Sequence, residues 1–238
     1  AMSASVEELL QQNSMRLWRA REPGGDQVAT APTGLPTGYA ALDRCLPGAG
    51  WRGQGLIEIL SHKRGMGELK LLLPALAALC RDESAADVYP PPRPRDAGCH
   101  AGSAVLPHER GSGGWVAWAS PPYRPYAPAL AAWGIDVTRM LVVQGAGTTE
   151  WAMDQALRSE ACSAVLGWAN PRDPQALRRL QLAAESSRSL AVLYRPLQAG
   201  LTPSPAVLRL ALLGGSEGLQ VRIIKSRGGR PATVNLGH

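Results

Sequence analysis

An α/β fold is predicted, with a mainly parallel sheet flanked by helices and a C-terminal antiparallel hairpin. Two observations predict it. Short runs rich in Ile, Val and Leu alternate along the chain with longer stretches of helical period, the order of βαβ units. The last two runs, "AVLRLALL" and "LQVRIIKSR", alternate in polarity and are joined by Gly214-Gly215-Ser216-Glu217-Gly218, a hairpin signal.

The elements follow in order. Residues 3–20 form an N-terminal helix, because Val6, Leu9, Leu10 and Leu17 fall near one face at helical spacing. Trp18 stands at its end, Ser5 is its N-cap, and Glu7 and Glu8 lie in the first turn, where a carboxylate suits the helix dipole. Residues 21–36 are a Pro/Gly linker, and residues 37–236 form the core. From the end of the linker into the core, "LPTGYAALDRCLPGAGW" reads as a turn, a short helix carrying Leu42 and Leu46, and a Gly-rich turn to Trp51. A strand over 56–60 and a helix over 67–81 come next. Residues 82–114 are dense in Pro, Gly and charge and have neither period, so they read as a mobile insertion.

A strand over 115–120 then leads through a Pro-rich turn to a helix at 126–133. "RMLVVQ" is a strand, "TTEWAMDQALRSEA" a helix and "SAVLGWA" a strand. "DPQALRRLQLAAESSR" is a helix capped by Asp173 with Pro174 at its first position, where the missing N–H costs nothing. "LAVLYRP" is the last strand before the hairpin. The period of residues 173–188 turns Arg178, Arg179 and Arg188 toward solvent.

Composition narrows the classes. Of 238 residues, 45% are hydrophobic and 18% charged, enough to bury a sizeable core. No apolar run reaches bilayer length and no signal peptide is visible, so a cytoplasmic protein is expected. Ala1-Met2 reads as an addition ahead of the natural start. Cys45, Cys80, Cys99 and Cys162 have no paired spacing and read as reduced thiols. Cys99-His100 with His108 fits no zinc spacing, so no metal is expected. The net charge of +6 permits an acidic partner, nucleic acid or protein, but only Lys63, Lys70 and Lys225 among 25 basic residues are lysines. That arginine bias reflects coding preference as much as function.

One stretch carries a motif. "IEILSHKRGMGEL" runs from strand to glycine-bearing loop to helix, the outline of a phosphate-binding loop. Such a loop ends in Gly-Lys followed by Ser or Thr. Here the loop of His62, Lys63, Arg64, Gly65 and Gly67 ends in Glu68 and Leu69. A carboxylate beside a triphosphate repels it, and Lys63, Arg64 and Lys70 stand off the lysine position.

The order of the pieces resembles the RecA core, and more closely the RecA-like, SulA-like accessory proteins of the ImuA family. The resemblance spans about residues 33–236. It rests on "LPTGYAALDRCLPGAGWRGQGLIEIL", "GWVAWASPPYRPYAPALAAWGIDVTRMLVVQ", "QALRSEACSAVLGW", "ALRRLQLAAESS" and "VRIIKSRGGRP". It implies a RecA-like core and a non-catalytic adaptor role in damage-induced translesion DNA synthesis. The implied partners are an ImuB-like protein, RecA, and through ImuB an error-prone DnaE-type polymerase. A SulA-type inhibitor of cell division is the alternative, and a true DNA-dependent ATPase a third.

RecA-type hydrolysis also needs a glutamate after the strand at 115–120 and an aspartate after "SAVL". Pro121-Pro122 and Gly167-Trp168 stand there. No hydrolysis and no cofactor are therefore expected. RecA carries a K-x-K pair at the end of its final core strand, and Lys225 and Arg227 fall at that spacing. They are partner- or DNA-binding candidates, with Arg178, Arg179, Leu9, Leu10, Leu17 and Trp18. RecA-like proteins dock such a helix on the next subunit, which implies self-association or partner docking. "LQAGLTPSP" is too short to match RecA's DNA loop, leaving looser phosphate contact through Arg172, Arg178, Arg179, Arg222 and Arg230. Tyr123, Tyr126 and Trp168 are stacking candidates whose bland reading is a core or turn aromatic.

Overall fold

The computed structural model describes residues 34–63, 65, 67–81, 114–145, 147, 149–215 and 218–236. All of these lie within the unit Pro32–His238. The expected N-terminal helix, the linker to residue 33 and residues 82–113 of the insertion fall outside them.

Eight strands form one sheet in the order β3-β2-β4-β5-β1-β6-β7-β8. They are β1 Leu56–Ser61, β2 Trp115–Ala119, β3 Met140–Val143, β4 Cys162–Trp168, β5 Leu190–Pro196, β6 Leu208–Gly215, β7 Gly218–Ser226 and β8 Ala232–Leu236. The pairs from β3 across to β6 are parallel, while β6–β7 and β7–β8 are antiparallel. The α/β architecture expected from the sequence is the one the chain adopts.

Helices cover both faces: α1 Ala40–Asp43, α2 Leu73–Arg81, α3 Ala127–Ala132, α4 Thr149–Arg158 and α5 Pro174–Ser186. Successive strand side chains point to opposite faces. Ile57 and Ile59 therefore pack with Leu76 and Leu79 of α2, whereas Leu56 packs with Leu177 and Leu180 of α5. Asp173 caps α5 as expected, its carboxylate accepting from the Gln175 amide at 2.8 Å.

Three differences from the sequence reading have local causes. The helix after the loop begins at Leu73, because Pro74 fits only a first helical turn and turns occupy 67–72. Leu35, assigned to the linker, is buried and bridges Trp51 through two backbone hydrogen bonds of 2.9 and 2.7 Å. That approach requires glycine at 50, since a Cβ there would overlap the Leu35 carbonyl. The C-terminal hairpin has a third strand, β8, which the sequence reading missed. Its pattern holds only two inward residues, Val234 and Leu236, too few to register as a run.

Burial also shapes the acid–base chemistry of the core. It pushes the Cys162 thiol, at the start of β4, up to about 11 from an ordinary 9.0, against a weaker opposing hydrogen bond with Ser159. A raised folded pKa adds stability that is whole below the unfolded value and lost as pH rises through the folded one. Unfolding curves at about pH 8 and 10.5 should show wild type losing on the order of 1–2 kcal/mol more than Cys162→Ala does over that window. Equal losses in both proteins would remove the thiol as the cause.

Candidate functional site

The site lies at the C-terminal ends of β1, β4 and β5, where loops leave a parallel sheet and ligands of open α/β folds bind. A cavity of about 140 Å³ opens there, walled by the loop after β1, by Glu68 and Trp168, and by Tyr194 and Arg195 of β5. His62 and Lys63 stand exposed at its rim. Arg64 lies outside the described residues. Gly65 and Gly67 both hold positive φ, 80° and 87°, which the loop's reversal requires of glycine.

Glu68 does not project outward. It is 7% exposed, and its Oε1 accepts from the Gly65 amide at 2.8 Å. A loop amide that would donate to a phosphate thus donates to the chain's own carboxylate. Glu68 Oε2 has no hydrogen-bond partner among the described residues. The Tyr194 hydroxyl donates to the Glu68 carbonyl at 3.4 Å. Burial first, and the Glu68 charge second, hold that phenol well above its ordinary value. Leu69 packs on the core and Lys70 is exposed.

Trp168 fills the end of β4. Its ring stacks on Tyr194 at 4.7 Å and 10°, and on Trp118 of β2 at 5.5 Å and 24°. It is therefore a wall of the cavity, not a free platform for bases. Gly167 points to the opposite face, where a Cβ would overlap the Met153 sulfur of α4. After β2, Ser120 adopts φ 52° and accepts from the Thr149 hydroxyl at 2.7 Å; Pro121 behind it is buried.

Lys225 and Arg227 come out near each other at the end of β7, away from this cavity, and both make contacts within the chain. Lys225 Nζ donates to the Ser204 carbonyl at 2.8 Å, and burial, with the charges of Arg209 and Arg227, lowers its pKa. Arg227 pairs with Glu185 of α5 at 2.9 Å. Its hydrogen bond is the main cause that lowers the Glu185 carboxyl, helped by Gln181. Arg172, Arg178, Arg179, Arg222 and Arg230 are exposed and line no part of the cavity. Tyr123 and Tyr126 are 68% and 70% exposed in the turn after β2. Leu9, Leu10, Leu17 and Trp18 lie outside the described residues, as do Cys99, His100 and His108.

The sequence reading missed a buried ionic cluster beside the cavity. Glu58 of β1, fully buried, accepts from Arg195 Nη1 at 2.9 Å, Arg209 Nε at 2.8 Å and the Ser204 hydroxyl at 2.6 Å. Arg209 also donates to the carbonyls of Thr202 and Ala199, pinning the connection from β5 to β6. That connection is a 3-10 turn at Leu197–Leu201 followed by a tethered strand entry. The signal was present: single charges inside the apolar runs "LIEIL", "VLYRP" and "VLRLAL" demand buried partners.

No helix among the described residues is long and apolar enough to cross a membrane. No protein-family model matches the chain. The cell division inhibitor SulA of Edwardsiella piscicida is 36% identical over 84 residues, a stretch that covers 34% of this chain and 50% of that protein. The chain thus spans about half the length of the curated relative it matches, and the match supports a SulA-like relationship without singling out the ImuA type.

Proposed function

We propose that this chain is a non-hydrolysing, SulA-like adaptor of the DNA-damage response. It is cytoplasmic and of the ImuA type, serving translesion synthesis by binding an ImuB-like protein and RecA. The observation that carries the reading is the Glu68 carboxylate seated on the Gly65 amide, which places negative charge where phosphate charge would have to enter. Gly167 and Pro121-Pro122 support it, since neither position presents a metal ligand or a base. Exposed large apolar side chains at the β3 edge and around it, Leu141, Val142, Tyr123, Tyr126 and Trp151, support a protein partner, because such groups in water mark interaction surfaces.

A second reading is favoured by the relative, a cell division inhibitor: inhibition of cell division. In that case the same apolar sheet edge binds the tubulin-like division protein.

Two measurements test the proposal. Purified chain should release no phosphate from ATP above background, with or without single-stranded DNA. Glu68→Lys should stay at background, because the positions after β2 and at the end of β4 carry no catalytic groups. DNA-stimulated turnover that disappears when the loop is altered would overturn the non-hydrolysing reading. Immobilised chain offered an ImuB-type protein and the tubulin-like division protein separates the rest. Retention of the first supports the adaptor, and retention of the second alone supports the inhibitor.

A further inference from the structure

Strand β3 forms one edge of the sheet and pairs with β2 on one side only. Its Val143 carbonyl accepts from the Ser120 amide at 2.7 Å and so points inward. Backbone groups alternate in direction along a strand, so the N–H and C=O of Val142 and of Gln144 point out of the sheet. Among the described residues they meet no backbone partner. The Met140 carbonyl points the same way, while the Met140 N–H is held by the Val137 carbonyl. Edges that stay single are normally guarded by charge, proline or polar side chains. At the opposite edge, β8 follows Arg230 and Pro231 and shows Thr233 and Asn235 to solvent. β3 has no such guard: it reads Met140-Leu141-Val142-Val143, with Leu141 47% and Val142 41% exposed. On one face Leu141 and Val143 floor a groove of about 390 Å³ beside the exposed Trp151 of α4. On the other, Met140 and Val142 line a second hollow.

The free groups of this edge are arranged about Val142 so that the strand complements itself. We propose that a second copy of this chain docks here, β3 against β3 and antiparallel, about a two-fold axis through Val142, so that two eight-stranded sheets become one. In that register the two Val142 residues exchange N–H···O=C bonds in both directions. Each Gln144 N–H donates to the Met140 carbonyl of the other copy. Opposite residues share a face, so Leu141 lies beside Val143 of the second copy, and the two grooves join over one apolar floor. No like charges meet across the seam. The first charge before the strand, Arg139, is paired with Asp136 at 3.4 Å and falls opposite Gly145 of the second copy. A two-fold interface needs one patch that fits itself, and β3 meets that need within its own sequence. The inference rests on the reading of this edge as a protein-binding surface and names its occupant.

Sedimentation of the full chain at micromolar concentration is expected to show a dimer. Val142→Lys sets two ammonium groups face to face and should weaken it by roughly tenfold or more. Val142→Thr keeps the backbone bonds and the β-branched shape and should leave the dimer intact. Neither change should move the melting temperature, because the side chain is exposed at the edge. Val142→Cys reports the register. Opposite residues of such a hydrogen-bonded pair stand about 5.5 Å apart at Cα, within disulfide reach, so mild oxidation should give a covalent dimer. Gln144→Cys should give none, since residue 144 faces Met140 of the second copy. A monomeric wild type overturns the proposal, as does a dimer indifferent to Val142→Lys or one cross-linked equally by both cysteines. A monomer that still retains an ImuB-type or division protein sinks this inference alone, and retention lost in Val142→Lys gives the edge to that protein instead. A dimer sensitive to Val142→Lys that retains neither protein sinks the reading of function and leaves the dimer standing.

Discussion

Glu58→Ala should be the most damaging single change among the described residues, costing about 3–5 kcal/mol. The carboxylate is fully buried and is the shared partner of Arg195 and Arg209, at 2.9 and 2.8 Å. Its removal leaves two buried guanidiniums facing each other, and each keeps a desolvation cost with no opposite charge to offset it. The damage should spread, because Arg209 also holds the Thr202 and Ala199 carbonyls. For a chain of this size the melting temperature should fall by roughly 6–20 °C. Replacing the trio together, Glu58→Leu with Arg195→Met and Arg209→Met, should recover most of that loss, since an apolar trio of similar volume needs no pairing. Thermal unfolding of the two variants decides. A Glu58→Ala protein that melts within about 2 °C of wild type would show the cluster to be solvated rather than buried.

Gly167→Asp is the second large effect, and it bears on function. In RecA-type ATPases an aspartate at the end of such a strand helps hold magnesium, so under the proposed reading the change looks like a restoration. The structure predicts damage instead. A Cβ at 167 overlaps the sulfur of Met153, which is fully buried against β4, and the carboxylate would then sit unpaired among apolar side chains. Overpacking costs about 1–3 kcal/mol, and the unpaired polar group adds a comparable amount. Gly167→Ala isolates the steric part. Met153→Ala added to Gly167→Ala should relieve that part while introducing a smaller cavity cost. Denaturant unfolding of this set checks the order wild type, Gly167→Ala, Gly167→Asp. Gly167→Asp at wild-type stability would mean that α4 can withdraw from the strand, reopening the question of a catalytic acid at this position.

Much of the fold was legible because it is written in local periodicity. The strand read as "LAVLYRP" is β5, Leu190–Pro196, and the Asp173-Pro174 start of α5 is where the capping rule put it. Helix α2 was overextended because the apolar period continues through Leu71 and Leu72, which are buried whether or not they are helical. Strand β8 was missed because two inward residues make no pattern until β7 lies beside them.

The candidate site divides along the same line. The residue types were readable in one dimension: a carboxylate where a loop lysine belongs, glycine and tryptophan at a strand end, charges inside apolar runs. Their meaning was not. Glu58 meets Arg195 across 137 residues and Arg209 across 151, and no local period encodes such a partner. Glu68 looked like a repulsive charge on a loop; the fold turns it inward onto Gly65 and leaves one oxygen without a donor. Lys225 and Arg227 looked like a basic edge; the fold sets them against Ser204 and Glu185. Residue identity and spacing are therefore enough to say that this chain makes an α/β sheet, with a carboxylate in the loop after β1, prolines after β2 and a Gly-Trp pair at the end of β4. Which charges are paired, which face of a strand is closed and which buried atoms still want a partner depend on strand order and register, because those bring together atoms that the chain itself holds far apart.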